Sequence, residues 1–271
     1  LIFPHGATDP EIASVAMADQ SGYLQTSPEF AMKRLLSAGS DSIFQICHAF
    51  RDAEVGRLHH REFSMLEWYC VGYDYQRLMD EIELLITTLS LSQCQFTRIS
   101  YRELFRQRLD VDIESIGLSE LRAVCTLQVG ECDSSQLDFN QCLDLLMGMI
   151  VAPSINGYLF VYDYPASQAS LARLNPGNSR VAERFELFFD GIELANGFSE
   201  LSDSEEQRAR FIEDNRVRRE RGLPEMALDE KLLAALAHGL PECAGVALGL
   251  DRLLMALLEL DSIDQVLTFA D

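Results

Sequence analysis

Two stretches of this chain alternate apolar and polar residues with the period of two that marks a strand between unlike surroundings. The first is Ile43 to Phe50 and the second Phe63 to Val71, and the charged segment RDAEVGRLHHRE lies between them. Elsewhere the period lengthens. Pro28 suits a first helical turn with Ser27 as N-cap, in a helix that runs to about Ser37 and stops before Gly39. Asp74 is placed to cap a helix whose Leu78, Ile82, Leu85 and Leu89 keep helical spacing. Residues 98 to 150 read as short helices with polar joints, and residues 158 to 164 as a strand. ERFELFFDGIELANGF reads as a hairpin, because Asp190-Gly191 supplies the positive φ values of a tight turn. Residues 204 to 221 read as a charged, solvated helix, and GVALGLDRLLMALLEL as a glycine-punctuated strand that continues into an apolar helix. Residues 1 to 25, broken by Pro4, Gly6 and Pro10, read as irregular. Successive hairpins with helices gathered beside them predict an α+β fold on an antiparallel sheet.

Composition narrows the function classes. The 271 residues can bury a sizeable core, and no apolar run approaches the ~20 residues that span a bilayer. With 43 acidic against 22 basic residues the net charge is -21. That balance weighs against sequence-independent gripping of phosphate backbones, which needs clustered Lys and Arg. Small cations, amines and metal-bound nucleotides are easier partners. The cysteines, at 47, 70, 94, 125, 132, 142 and 243, form no CxxC pair and number seven, which suits a reduced compartment and buried thiols better than disulfides or zinc.

Three segments carry candidate chemistry. On the second strand Phe63, Met65, Glu67 and Tyr69 share one face, so aromatic, carboxylate and phenol lie together. The pattern alone allows the wall of a polar pocket or a solvent-facing strand side. In GIELANGFSEL, Glu193 and Glu200 flank Asn196. Carboxylates gathered in a sheet repel unless a cation joins them, and Mg²⁺ takes such ligands while bridging to nucleotide phosphates. In GVALGLDR, small residues admit close approach to a ligand, and Arg252 at a helix start is placed either to reach phosphate oxygens or to form an ordinary surface ion pair.

These segments, in this order, resemble a known family. FRDAEVGRLHHREFSMLEWY is similar to motif 2 of the class II aminoacyl-tRNA synthetases, and GVALGLDRLLM to motif 3. TSPEFAMKRLL, EFSMLEWY and ELANGFSEL resemble the lysine-type subgroup. PASQASLA, RVAERFE and GVALGLDR resemble its short GenX/PoxA/EpmA-type paralogues, ligases that attach (R)-β-lysine to a lysine of elongation factor P. The resemblance implies an α+β, class II synthetase-like antiparallel sheet flanked by helices, forming one catalytic domain over residues 1 to 271.

The resemblance also implies roles. Arg51 would contact the substrate carboxylate and the ATP α-phosphate, and Arg252 the γ-phosphate; these two are the catalytic candidates. His59 would touch the outgoing phosphates and Phe63 stack on adenine, with Asp52, Ala53, His60, Glu193, Leu194 and Gly249 completing the ATP-binding set. Glu193 and Glu200 would hold Mg²⁺. Ser27, Pro28, Glu29, Glu67, Tyr69, Asn196, Glu200 and Ala247 would line the amino-acid pocket. Ala247 stands where lysyl-tRNA synthetases have Gly, and its methyl would change which lysine isomer fits. The reaction implied is formation of a β-lysyl adenylate and attack on it by the ε-amine of a lysine on elongation factor P. A cytoplasmic homodimer using ATP and Mg²⁺, without tRNA or membrane, is the implied setting.

The match departs from the family at Ala53, where motif 2 usually has Glu, with Glu54 one residue on. His60 and Arg61 replace the usual Asn and Pro, so nucleotide recognition is expected to be altered. Of motif 1, which supplies the family's dimer interface, Pro4 alone resembles a remnant, and there is no room for an anticodon-binding domain. Two other readings fit: a truncated activator of free α-lysine, and a non-catalytic binding module whose nucleotide site has decayed.

Overall fold

A computed structural model describes residues 1–271 apart from 20, 53–54, 91–92, 131–132 and 269–271. The chain forms two compact units, one made of Leu1–Leu78 and Gly197–Asp271, the other of Met79–Asn196.

The first unit opens with two short strands, β1 (Ile2–Phe3) and β2 (Tyr23–Leu24), paired antiparallel inside the stretch expected to be irregular. Helix α1 (Glu29–Ser37) follows, with Pro28 at its capping position. Ser27 lies one residue further back than expected, yet its Oγ still accepts a hydrogen bond from the Glu29 N–H at 3.0 Å. Strands β3 (Ile43–Phe50) and β4 (Glu62–Val71) pair antiparallel, as their alternation predicts. Asp74 caps α2 (Tyr75–Leu89) by accepting from the Arg77 N–H at 2.8 Å, and the chain passes into the second unit within this helix, after Leu78.

The second unit contains β5 (Phe96–Ser100), α3 (Tyr101–Leu109), α4 (Leu118–Val129), α5 (Phe139–Leu146), β6 (Tyr158–Pro165), β7 (Leu174–Asn175), β8 (Asn178–Phe189) and most of β9 (Ile192–Ser199). β6 lies between β5 and β8. β5 overlaps the stretch expected to be helical. Its five residues, FTRIS, are too few to declare a period, and its parallel pairing with β6 is a distant contact that no local pattern announces. α5 carries a reciprocal cap between Asp138 and Gln141. The β8–β9 hairpin turns at Asp190 and Gly191, with φ of 46° and 82°, the signature of a type I′ turn. Tyr101, Phe105, Leu121, Leu143, Leu146 and Val161 form the unit's core.

The chain returns to the first unit within β9, after Asn196. α6 (Ser204–Glu220), α7 (Glu230–His238), β10 (Cys243–Gly249) and α8 (Leu250–Leu258) follow. β10 pairs antiparallel with β4. α6 is not the solvated helix its composition suggests, because Gln207, Phe211, Asn215 and Arg218 form one buried face at helical spacing. Asn215 exchanges two hydrogen bonds of 2.8 Å with the Met226 backbone, and Arg218 donates to Pro224 O at 2.7 Å and Asp9 O at 3.1 Å. In both units a largely antiparallel sheet carries helices, the α+β arrangement expected, with the β5–β6 pair of the second unit parallel.

Asp203 begins α6 by accepting hydrogen bonds from the Glu205 and Glu206 N–H groups, both at 2.9 Å. Asp203→Ala is expected to cost about 1 kcal/mol, a fall in melting temperature of roughly 2–4 °C in calorimetry.

Candidate active site

The β4 face that mixes aromatic and acidic residues is buried. Glu67 is 1% exposed and Met65 and Tyr69 hardly more, which removes the solvent-facing alternative. β10 sets Gly249, Ala247 and Gly245 opposite Met65, Glu67 and Tyr69, so small residues line the strand next to the acidic one. Both Glu67 oxygens take an O–H donor: Ser27 Oγ donates to Oε1 at 2.5 Å and Tyr69 Oη to Oε2 at 3.0 Å. Pro28, at the α1 cap, is buried in the segment that positions Ser27.

A second acidic group adjoins it. Lys33, one turn along α1 from Glu29, is 1% exposed. Its Nζ lies 2.7 Å from Glu29 Oε1 and 2.5 Å from Glu200 Oε2. Glu200 Oε1 is buried and has no hydrogen-bond donor. Gly245 permits this packing, since a Cβ there would meet the Tyr69 ring and Glu200 Oε1. Burial, then the charge of Glu29, pushes Glu67 up to about 8 against the opposing pull of Ser27, Tyr69 and Arg51. Burial also pushes Glu200 up, and the Lys33 ammonium pulls it back. Lys33 itself is raised by Glu200 and Glu29 against its own burial, so it stays protonated. With Lys33 charged between two carboxylates, Glu67 is the group that takes up a proton when no other cation is near.

Arg51 follows β3 directly, and its N–H continues the ladder to Arg61 O at 2.9 Å. Its guanidinium lies 5.2 Å from the Phe63 ring centre. The loop beyond it closes through mutual backbone hydrogen bonds between Gly56 and His59, at 3.0 and 3.1 Å. Arg252 Nε donates to Leu58 O at 3.1 Å, and Arg57 donates from its guanidinium to Asp261 O and accepts from the Ile263 N–H at its own carbonyl. Asp251 accepts from the Ser64 N–H at 2.6 Å. Arg51, His59, His60, Phe63, Gly249 and Arg252 are thus all carried by the β3–loop–β4 segment or the β10–α8 junction of the first unit. His60 Nδ1 is engaged with the Glu62 backbone at 2.7 and 3.2 Å, and the exposed Asp52 pairs loosely with Arg61 at 3.5 Å. Ala53 lies outside the described residues.

Glu193, Leu194 and Asn196 belong to the second unit. Leu194 is buried, and Asn196 Oδ1 accepts from Arg184 Nε at 3.2 Å. Glu193 acts on Glu186 of β8: burial, then the Glu193 charge, pushes Glu186 up to about 7. Arg184 and Tyr164 oppose this, each hydrogen-bonded to Glu186 at 2.6 Å. The acidic pair here is therefore Glu186 with Glu193. Glu200, in the first unit, is engaged with Lys33. Among the described residues no group of three or more His, Cys, Asp or Glu could hold a metal.

Sequence reasoning missed Lys33 and Glu186. The signal for Lys33 was its i, i+4 relation to Glu29, and for Glu186 the tight turn that sets carboxylates on neighbouring arms. A cleft of about 520 Å³ in the second unit, lined by Arg98, Glu103, Arg108, Asn156 and Tyr162 among others, contains none of the expected site residues. The described cysteines are all free, and none of the described helices is long and apolar enough to cross a membrane.

The fold and these residues agree with the comparison to known families. The pattern describing class II tRNA synthetases (D, K and N) matches residues 2–271. The chain belongs to that family, and is by class an ATP-dependent ligase. More particularly, it is similar to proteins named elongation factor P–(R)-β-lysine ligase. One from Klebsiella pneumoniae is 48% identical over 251 residues, covering 91% of this chain and 77% of the relative. Another, from Pectobacterium carotovorum, is 49% identical over 252 residues, with 92% and 77% covered. A third, from Salmonella gallinarum, is 48% identical over 251 residues, with 91% and 77% covered.

Glu67 gives the unliganded protein a definite pH dependence. Its folded value of about 8 lies above the ordinary 4.5. The folded state therefore holds a proton that the unfolded state has lost. The stabilisation is complete below the lower value and disappears as pH rises through the upper one. Glu67→Gln is expected to flatten the fall in melting temperature between about pH 5 and pH 9; an unchanged slope in a thermal-shift series would place the titrating group elsewhere.

Proposed function

We propose that this protein activates (R)-β-lysine as an adenylate and transfers it to a lysine side chain of elongation factor P. The observation that carries this reading is the acidic cluster of Glu29 with the buried Glu67 and Glu200, one oxygen of which has no donor. Such a pocket suits a guest with more than one ammonium group, because each buried carboxylate favours a cation as partner. The names of the relatives supply the particular diamino acid and acceptor.

The chemistry asked of the chain is mostly positioning and electrostatics. Ser27 and Tyr69 hold Glu67 to accept an ammonium hydrogen. Arg51, close enough to Glu67 to depress it, would take the guest's carboxylate and the ATP α-phosphate, where charge grows as the carboxylate attacks. Arg252, its Nε fastened to the motif 2 loop, would meet the outer phosphates. Phe63, under the Arg51 guanidinium, offers its ring to adenine. When the ε-amine of the acceptor lysine attacks the acyl carbonyl, the new amide bond forms and AMP leaves. No covalent enzyme nucleophile is required, in keeping with the scattered free thiols.

Magnesium fits Glu186 and Glu193 by chemistry: two like charges interact, one of them buried and pushed up to about 7. Mg²⁺ is commonly held by one or two carboxylates together with phosphates, and when bound it would neutralise triphosphate charge. The two units are read as one catalytic domain, because the family pattern runs through both. The homodimer is supported by β3, an edge strand with Phe44 and Ile46 72% and 62% exposed. The cytoplasm suits the free thiols, and the net charge of -21 suits an enzyme that does not grip tRNA.

The direct test is incubation with elongation factor P, ATP and (R)-β-lysine, read by the intact mass of the factor. The expected product is one added β-lysyl group with the wild-type chain and none with Arg51→Ala, whose melting curve should stay normal. No mass gain with the wild type, alongside strong pyrophosphate exchange with α-lysine, would favour the free-lysine activator. Absence of ATP binding in calorimetry would favour the non-catalytic module. Ala247 lies directly across from Glu67, and Ala247→Gly is expected to raise exchange with α-lysine by about tenfold, the effect of a methyl-sized change in a pocket.

A further inference from the structure

Lys33 has no part in the roles assigned above, yet it is almost wholly enclosed. Its charged partners are carboxylates, Glu29 on its own helix at 2.7 Å and Glu200 just past β9 at 2.5 Å. Its Nζ also lies 5.4 Å from the Phe198 ring centre. Stability alone is a poor reason for a lysine here. Apolar side chains of similar volume commonly match or exceed a buried ion triad, and Met32 and Leu36 already bury apolar surface on α1.

Counting charge supplies a better reason. With all three ionised, as they are once an ammonium of the guest replaces the proton on Glu67, Glu29, Glu67 and Glu200 are opposed by Lys33 and by Arg51, whose field reaches Glu67. One net negative charge remains. A diamino acid carries two ammonium groups and one carboxylate near neutral pH, a net charge of one positive unit. Pocket and guest together are then neutral, which a buried site strongly favours. Without Lys33 the pocket would carry two net negative charges and would match a diamine with no carboxylate.

We infer that Lys33 is a built-in counter-cation that sets the charge of the amino-acid pocket, acting through Glu29 and Glu200 to select a guest of net charge +1 over a dication. Lys33 is a positioning residue and does not touch the reacting atoms. The inference rests on the reading of this pocket as the diamino-acid site.

The test compares wild type with Lys33→Met in ATP–pyrophosphate exchange with (R)-β-lysine, and in competition by 1,5-diaminopentane, a dication without a carboxylate. In Lys33→Met the ratio of the KM for (R)-β-lysine to the inhibition constant of the diamine is expected to rise at least about tenfold, with the KM for ATP little changed. Inhibition by the diamine should tighten by a similar factor. Lys33→Arg, which keeps the charge, should retain the wild-type preference between the two guests. Parallel weakening of both guests in a folded Lys33→Met, or no change in either, would overturn the inference, because a merely structural lysine would not reverse the preference. Should Lys33→Met be isolated unfolded, refolding with the diamine is expected to recover it, and no recovery would count against the inference. A wild-type protein that exchanges pyrophosphate with no diamino acid would refute the functional reading itself.

Discussion

The first unit is organised around the cost of keeping carboxylates out of water. Three of them, Glu29, Glu67 and Glu200, come from a helix, a strand and the residue after another strand. Removing such groups from solvent costs several kcal/mol each unless partners are close and well oriented. The partners are Lys33, Ser27, Tyr69 and Arg51, and each arrives by a different local device. The Pro28 cap places Ser27, the first turns of α1 place Lys33, the alternation of β4 places Tyr69, and the end of β3 places Arg51. Gly245 then allows β10 to pass close beside Tyr69 and Glu200. Loss of Lys33 would strand Glu200 as a buried charge, so the local structure and the site chemistry are the same constraint seen at two scales.

The second unit meets a similar cost in another way. Glu186 and Glu193 repel, and Arg184 and Tyr164 hold Glu186 from the other side. The first unit brings its own cation, Lys33, to its carboxylates. The pair in the second unit keeps like charges in mutual influence, which suits a cation arriving with a substrate. This contrast is what the proposed function rests on in giving an amine to one acidic group and magnesium to the other, where composition alone could only report an excess of acid.

How far the sequence discloses this depends on the range of the interaction. The strands 43–50 and 63–71, the Asp190-Gly191 turn and the β10–α8 junction were legible because period and turn chemistry are local. Glu67 and Tyr69 were legible as one face for the same reason, although burial was needed to choose pocket over surface. β5 was lost because it is short and pairs in parallel with a strand about sixty residues away in sequence. The buried face of α6 was lost because its enclosed residues include Gln207, Asn215 and Arg218, which pattern reading treats as exposed. The engagement of Glu200 with Lys33 and of Glu193 with Glu186 was lost because each joins side chains of separate elements.

On the proposed reading, the same face is where isomer choice would be made. Ala247 stands opposite Glu67 and is flanked on its own face by Gly245 and Gly249, so its methyl is the side chain β10 contributes beside the acceptor of the ammonium group. Moving an amino group from the α to the β carbon shifts it by about one C–C bond, ~1.5 Å. A methyl occupies space of that order. A single Cβ on this strand can therefore disfavour one position of the nitrogen without disturbing Glu67, whose oxygens are already held by Ser27 and Tyr69. On the proposed reading, charge selection and shape selection fall to separate residues: Lys33 would govern how much charge the guest brings, and Ala247 would govern where on the guest one of those charges lies.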